Sequence, residues 1–280
     1  MRVTAEDFRY ITDFVRDCSA ISLGPGKEYL VESRLMPVAR AAGLHDLGSL
    51  VVELRRPSPD PAFQVKVIEA MTTNETSFFR DHHPFSVFEL EVIPELIARN
   101  AANRRLRIWS AGCSTGQELY SLAMILDRNF PELAAWDVTL VGTDLSNEVL
   151  ARARAGRYSP LEVSRGLPPA LQVEYFEQDG ASYVLKEDLR SRCRFEQLNL
   201  AESWPVEAFD VVLCRNVLIY FELAVRRAVL DRIRRALTPG GYLYLGTAET
   251  TVGLVDGFTA VHYGNVAVYR AEVITMGEAQ

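Results

Sequence analysis

The residues from Arg107 to Tyr120, R-I-W-S-A-G-C-S-T-G-Q-E-L-Y, have the make-up of a small-ligand cradle. Ile108 and Trp109 close an apolar run that reads as a buried strand, and Gly112 and Gly116 bracket a tight turn. Gln117-Glu118 then opens a helix with Leu119, Leu122, Ala123 and Leu126 on one face. Glycine lets a backbone approach a ligand closely, and the first N–H groups of a helix have no partner within it. Thr115 and Glu118 stand at capping-box spacing, which predicts where the helix starts. The pattern is neither G-x-G-x-x-G nor the phosphate loop G-x-x-x-x-G-K-[ST], and Gln117, not a lysine, follows Gly116. A nucleoside without phosphates suits the turn better than a nucleoside triphosphate. The alternative is a packed turn that holds nothing.

Three further clusters could do chemistry. Asp144 follows the apolar run Trp136 to Thr143, and a carboxylate at the end of a second strand can accept both hydroxyls of a ribose. It could instead be a charge at a helix N-terminus, but its coupling to the glycine turn favours ribose. Arg215-Asn216 interrupts an apolar stretch, F-D-V-V-L-C before it and V-L-I-Y-F after it, at the strand edge where open α/β sheets hold ligands. Satisfying backbone groups is the other role open to that pair. In Met71 to Asp81, Thr72, Thr73, Asn74, Thr76 and Ser77 lie beside Phe78-Phe79 and Arg80. Such a stretch either caps a helix or closes over a small molecule.

The elements that must position these residues can be read from periodicity. Thr4 N-caps a helix over Ala5 to Cys18, with Phe8, Ile11, Phe14 and Val15 on one face. Lys27 to Ala42 is a second helix with Val31, Leu35, Val38 and Ala42 inward, stopped by Gly43. Asp46 to Leu54 and Asp60 to Met71 complete a helical front domain of about four helices. A helix from Pro84 to about Arg99 leads to the opening strand. Beyond Asp144, Ser146 caps a helix through Ala155, which Gly156 ends. Arg157 to Arg194 departs from strand–helix alternation and reads as an inserted helix plus β-ribbon, with strand-like runs at Tyr183 to Leu185 and Cys193 to Phe195. Phe209 to Cys214 is a central strand and Leu223 to Leu237 an amphipathic helix. Pro239-Gly240-Gly241 turns into a strand over Tyr242 to Thr247, and Phe258 to Ala271 is a hairpin about Gly264-Asn265.

Composition narrows the class. The chain has 280 residues, 48% hydrophobic and 24% charged, as a soluble globular protein of about two domains would. A net charge of -7 speaks against binding that rests on phosphate neutralisation. Cys18, Cys113, Cys193 and Cys214 are scattered and read as reduced, buried thiols. His45, His82, His83 and His262 form no dyad or ligand spacing, so no metal is expected. No signal-like or membrane-length apolar run occurs, and a cytoplasmic location is expected.

Taken in order, these parts resemble the class I S-adenosylmethionine methyltransferases. The stretches T-T-N-E-T-S-F-F-R-D, W-S-A-G-C-S-T-G-Q-E, G-T-D-L-S, N-L and F-D-V-V-L-C-R-N-V-L-I-Y-F resemble the chemotaxis-receptor glutamate methyltransferase family (CheR type) over nearly the whole chain. The resemblance implies an α/β fold: a doubly wound seven-stranded sheet with a terminal antiparallel hairpin, a small β-ribbon insertion and an N-terminal all-α domain. It implies a receptor-recognition domain over 1–75, a methyltransferase domain over 76–273 with 157–195 inserted, and a tail over 274–280. Asn74, Thr76 and Arg80 would line the cofactor pocket, Arg80 facing the methionine carboxylate. Gly112 and Glu118 would face the cofactor at the glycine turn, Asp144 the ribose, and Asn199-Leu200 and Asn216-Val217 would border the adenine and the methyl group. The substrate implied is glutamate on the long helical cytoplasmic region of chemoreceptors, and the products are the γ-methyl ester and S-adenosylhomocysteine.

Glutamate ionises near ~4.3 and is already a nucleophile at neutral pH, so no general base is required. Tyr220 is expected to orient it through a neutral hydrogen bond, a packed aromatic being the alternative. Lys27, Arg34, Arg40, Arg55 and Arg56 could face an acidic receptor helix, and a receptor tail could add to the run Tyr183 to Phe195 as a strand. A monomer is expected, with no nucleic-acid partner and no membrane insertion. A methyltransferase of nucleic acid would show [N/D]-P-P-[Y/F] where this chain has R-N-V-L-I-Y. A small-molecule methyltransferase and a non-catalytic S-adenosylmethionine sensor or scaffold are the remaining alternatives.

Overall fold

The computed structural model describes residues 3–204 and 207–272, and the tail expected over 274–280 lies outside them. Two compact units result, Met1–Thr73 with Tyr220–Val225, and Asn74–Ile219 with Arg226–Gln280.

The smaller unit is built on capped helices. The Thr4 hydroxyl accepts the Asp7 N–H at 3.1 Å and starts α1 (Ala5–Ser19). α2 (Glu28–Ala41) is followed by Gly43 at φ +75°. Asp46 caps α3 (Leu47–Leu54), and Asp60 caps α4 (Pro61–Met71). Ile11, Val15, Val31, Leu35, Leu50 and Val67 are fully buried. The buried stripe of α2 runs through Ala39; the expected Ala42 is exposed, because the helix ends before it can turn inward. The segment after Ile219 returns to this unit: Phe221 bridges Ile21, and the Ser22 N–H donates to the Tyr220 carbonyl at 2.9 Å.

The larger unit opens with α5 (His83–Val87) and α6 (Ile93–Asn100), joined by a π-helical turn over Phe88–Val92. The single helix expected from Pro84 to Arg99 is interrupted because Pro94 has no N–H for the Leu90 carbonyl, and the Ile93 N–H reaches back to Phe88.

The strands in chain order are β1 (Arg105–Ala111), β2 (Asp137–Asp144), β3 (Arg157–Tyr158), β4 (Phe176–Asp179), β5 (Ser182–Leu185), β6 (Cys193–Gln197), β7 (Phe209–Cys214), β8 (Leu237–Leu245), β9 (Phe258–Tyr263) and β10 (Val266–Ala271). Seven form one sheet in the order β6-β2-β1-β7-β8-β10-β9. The first five are parallel to one another, and β10 is antiparallel to both β8 and β9. Every residue of β7 is buried, the apolar Phe209 and Val211 to Cys214 together with the one charge, Asp210. Connecting helices include α7 (Gln117–Asn129), α8 (Asn147–Ala155) and α12 (Leu223–Ala236).

Near the amino ends of β1 and β7, buried Asp210 accepts from Arg99 at 2.9 Å, Asn100 at 3.2 Å and the Arg107 N–H at 2.9 Å. This fixes α6, β1 and β7 to one another and leaves the carboxyl ends for a ligand. β8 is continuous where a turn at Pro239-Gly240-Gly241 was expected. Its register shifts opposite Phe209 and Val211, and Arg99 holds the Gly240 carbonyl at 2.7 Å.

The insertion holds β3, β4 and β5 with the short helices α9 (Pro160–Ser164), α10 (Pro169–Tyr175) and α11 (Glu187–Arg190). It is a three-stranded antiparallel sheet, β3-β5-β4, so Tyr183 to Leu185 is its central strand and not an open edge. Nor does Cys193 to Phe195 belong to it: those residues begin β6, at the edge of the main sheet, so the inserted part ends before 195. The Phe195 ring explains the difference. It fills the space over Gly142 on β2, lying 2.7 Å from where a Cβ would stand.

Candidate active site

Strand register brings the first two clusters together. Ala111 pairs with Thr143, so Gly112 and Asp144 leave adjacent carboxyl ends. Connections run outward in both directions from β1, and such a switch point opens a crevice there. Gly112 and Gly116 have φ +77° and +92°, and Ser114 between them has φ +51°. A Cβ on Gly112 would lie 2.4 Å from Val217 Cγ2, so only glycine lets the β7 loop close on the turn.

Asp144 ties the turn to α8. Its Oδ2 accepts the Ser114 N–H at 2.9 Å and its Oδ1 the Ser146 N–H at 3.1 Å. Next to it, the Leu198 N–H donates to the Asp144 carbonyl at 2.9 Å, which sets the end of β6 beside this carboxylate. Leu200 is buried there, while the Asn199 amide donates to Glu202 at 2.8 Å within its own turn.

The polar stretch joins from the other side. Ser114 Oγ donates to the Asn74 carbonyl at 2.8 Å. Asn74 is exposed and Thr76 and Arg80 are half-buried, whereas Phe78 and Phe79 are buried. Phe78 meets Tyr158 and Phe176 of the insertion edge-on, at 5.1 and 5.6 Å between ring centroids. Arg165 pairs with Glu75 at 2.6 Å. Phe79, Asp81 and His82 all have positive φ, a strained run that its surroundings must enforce.

Arg215 does much of that enforcing. Its side chain is 2% exposed; one nitrogen donates to Glu118 Oε2 at 3.0 Å, the other to Asp81 Oδ2 at 2.7 Å and to the Arg80 carbonyl at 3.0 Å. Ser110 Oγ donates to the other Glu118 oxygen at 2.8 Å. The expected capping box is therefore absent: Gly116 is the N-cap, without a side-chain bond, and Thr115 Oγ1 donates to Gln117 Oε1 at 2.7 Å. The buried guanidinium draws the Glu118 carboxylate away from the helix end. Asn216, next along, has φ +59°, and its buried Oδ1 has no partner among the described residues.

Residues 74–266 of this chain match the family described as CheR methyltransferase, SAM binding domain, and residues 6–72 that described as CheR methyltransferase, all-alpha domain. The chain belongs to the CheR methyltransferase family. It is 42% identical over 278 residues to Chemotaxis protein methyltransferase 1 of Pseudomonas aeruginosa, covering 97% of this chain and 100% of that one. With Chemotaxis protein methyltransferase Cher2 of Pseudomonas putida it shares 40% over 272 residues, covering 95% and 98%. With the Chemotaxis protein methyltransferase of Vibrio parahaemolyticus it shares 37% over 277 residues, covering 96% and 98%.

A CheR methyltransferase depends on S-adenosylmethionine, and the residues here suit that group. A buried acceptor without a donor is costly, and the cofactor's ammonium and hydroxyl groups are donors that could meet Asn216 Oδ1. Asp144 supplies a carboxylate at the switch point, a group of the kind that accepts ribose hydroxyls. Burial pushes the Cys113 and Cys214 thiols well up, and neighbouring carboxylates reinforce the shift, so these two are poor nucleophiles.

Sequence places Arg215 in a candidate cluster without a role of its own, and gives none to Asp81, Ser114 or Glu249. Arg215 carried a signal, a charge within an apolar run. Glu249 carried none beyond standing after a strand, yet it accepts the Asn216 and Val217 N–H groups.

The remaining candidates belong to the helical unit. Arg34 donates to the Met71 and Thr72 carbonyls at 2.9 and 2.7 Å, so its guanidinium closes the end of α4. Arg55 pairs with Glu6 at 3.4 Å over the Tyr10 ring, and Arg56 with Glu53 at 2.9 Å. Both guanidinium groups are exposed, as is Glu6, while Glu53 is half-buried; surface pairs of this kind are worth little. Tyr220 is half-buried, held through its carbonyl.

Proposed function

We propose that this chain transfers the methyl group of S-adenosylmethionine to glutamate side chains on the helical cytoplasmic region of chemoreceptors, leaving γ-methyl esters and S-adenosylhomocysteine. The observation that carries this reading is Asn216, held in a left-handed backbone beside Val217, which closes on the glycine turn, with a buried side-chain oxygen that has no partner among the described residues. Bound cofactor supplies an electrophilic methyl group on a sulfonium. The protein's part is to orient and to exclude water. Attack by a carboxylate on a sulfonium methyl removes charge, so rate comes from in-line placement in a dry site. Asp144 takes the ribose, Arg80 the methionine carboxylate, and Asn199-Leu200 and Asn216-Val217 border the adenine and the methyl group. Residues 1–75 form the receptor-recognition domain, with Arg55 and Arg56 facing the receptor, and 76–273 carry out transfer.

A receptor C-terminal tail would add to β4, an outer strand of the inserted sheet whose Glu177, Gln178 and Asp179 are exposed. The protein acts as a cytoplasmic monomer. Among the described residues no helix is long and apolar enough to cross a membrane.

Tritiated methyl donor incubated with receptor-bearing membranes is expected to give protein-bound counts that mild base releases. Base-stable counts would mean methylation at nitrogen, and cofactor binding without transfer would mean a sensor; either overturns the reading. Tyr220→Phe is expected to lower kcat about tenfold with S-adenosylhomocysteine affinity unchanged, the worth of one neutral hydrogen bond in the transition state. Unchanged kcat would leave Tyr220 a packed aromatic.

A further inference from the structure

Glu249 lies in the bend beyond β8, outside every residue assigned above to cofactor or substrate. Its carboxylate accepts four backbone N–H groups. Oε2 takes those of Asn216 at 2.8 Å and Gly246 at 2.7 Å, and Oε1 those of Val217 at 2.9 Å and Ile219 at 3.3 Å. The bend is closed by its own N–H, which donates to the Gly246 carbonyl at 2.9 Å.

The space for this arrangement is reserved. A Cβ on Gly246 would stand 2.6 Å from Asn216 Nδ2 and 2.8 Å from Glu249 Oε2. The segment it holds would not hold itself. Asn216 is left-handed at φ +59°, which asparagine tolerates better than other residues with a side chain but still at a cost. Bonds from backbone N–H to an ionised acceptor are about twice as strong as neutral ones, and several together can offset that cost. Asn216 and Val217 are the residues this carboxylate fixes, and Val217 is the side chain that closes on Gly112.

We propose that Glu249 is a positioning residue for methyl transfer: its carboxylate fixes the backbone of Asn216 and holds Val217 against the glycine turn, and thereby sets the affinity for S-adenosylmethionine, while touching neither cofactor nor substrate. This rests on the reading of the turn as the cofactor site.

Glu249→Gln keeps size and shape but points an NH₂ group at N–H donors. Glu249→Asp keeps the charge but is one methylene too short to reach both pairs. Calorimetric titration of the full chain with S-adenosylhomocysteine is expected to show at least about tenfold weaker binding for Glu249→Gln, with Glu249→Asp between it and wild type. Transfer at saturating methyl donor is expected to fall about tenfold, with KM for the receptor within about twofold of wild type. A folded Glu249→Gln protein with affinity and kcat within about twofold of wild type overturns the proposal.

Hydrogen exchange on the wild-type protein needs no variant. The amides of Asn216, Val217 and Gly246 are expected to be protected before cofactor is added, and exchange at unstructured rates overturns the proposal equally. Wild-type protein that binds no S-adenosylhomocysteine would instead overturn the cofactor reading itself, and Glu249's role with it.

Discussion

Arg215→Ala is expected to abolish measurable methyl transfer and to lower the stability of the larger unit by about 3–5 kcal/mol. The size follows from what the guanidinium leaves behind. Glu118, with a side chain only 13% exposed, would keep its charge without its cation, and burying an unpaired charge is among the costliest single changes. The Asp81 carboxylate and the Arg80 carbonyl would lose their donor at the same time. Those bonds hold the left-handed run at Phe79, Asp81 and His82, so the polar stretch expected to close over the cofactor would relax with them. Arg215→Lys restores a charge but not the fork that reaches two carboxylates and a carbonyl, and is expected to recover only part of either property. Adding Glu118→Gln to Arg215→Ala removes the stranded charge, so the double variant is expected to be more stable than Arg215→Ala alone. Urea denaturation of the wild type and the three variants, beside titration with S-adenosylhomocysteine, measures all of this. A cost below about 1 kcal/mol for Arg215→Ala would mean that the cluster is solvated and does not organise the site.

That cluster also marks the boundary of what could be read from sequence. Periodicity and local turn chemistry located β1, β2 and β7, the glycine turn, the Ser146 cap and the hairpin about Gly264-Asn265, because each is decided within about ten residues. Glu118 was misread for the complementary reason. Its local spacing from Thr115 suggested a capping box, but its partner Arg215 lies 97 residues away and wins through charge. Glu249 is the same case without any local signal, since its four donors come from two strand ends that only the folded sheet brings together. Cys193 to Phe195 looked like a ribbon strand because short β-runs carry no label for the sheet they join; the bare surface of Gly142 decides it. Arg34 looked like a surface charge and closes a helix end, for its carbonyl partners become available only where α4 stops. Local elements were therefore legible, and the residues that hold one element's end against another's were not.

Asp144→Ala is expected to weaken S-adenosylhomocysteine binding about 100-fold or more, with a much smaller effect on folding. Two losses combine. A carboxylate accepting ribose hydroxyls makes charge-assisted bonds worth about 1.5–3 kcal/mol, and at about 1.4 kcal/mol per factor of ten these account for most of the change. The rest comes from the apo protein: without Oδ2 the Ser114 N–H has no acceptor, and Ser114 at φ +51° has less reason to stay left-handed. The glycine turn would then spend part of its time in shapes that do not bind, and apparent affinity falls by that fraction. Asp144→Asn separates the two losses. It keeps one carbonyl oxygen for Ser114 or Ser146 but not both, and it removes the charge, so about tenfold weakening is expected if the ribose bonds dominate. Folding stability should move by only about 1 kcal/mol, because Ser146 still caps α8 through the Val149 N–H at 3.4 Å. An Asp144→Ala protein that bound within about threefold of wild type would separate this carboxylate from the ribose. Asp144 would then be a brace between β1's turn and α8, and the ribose would have to be held by backbone donors of the turn alone.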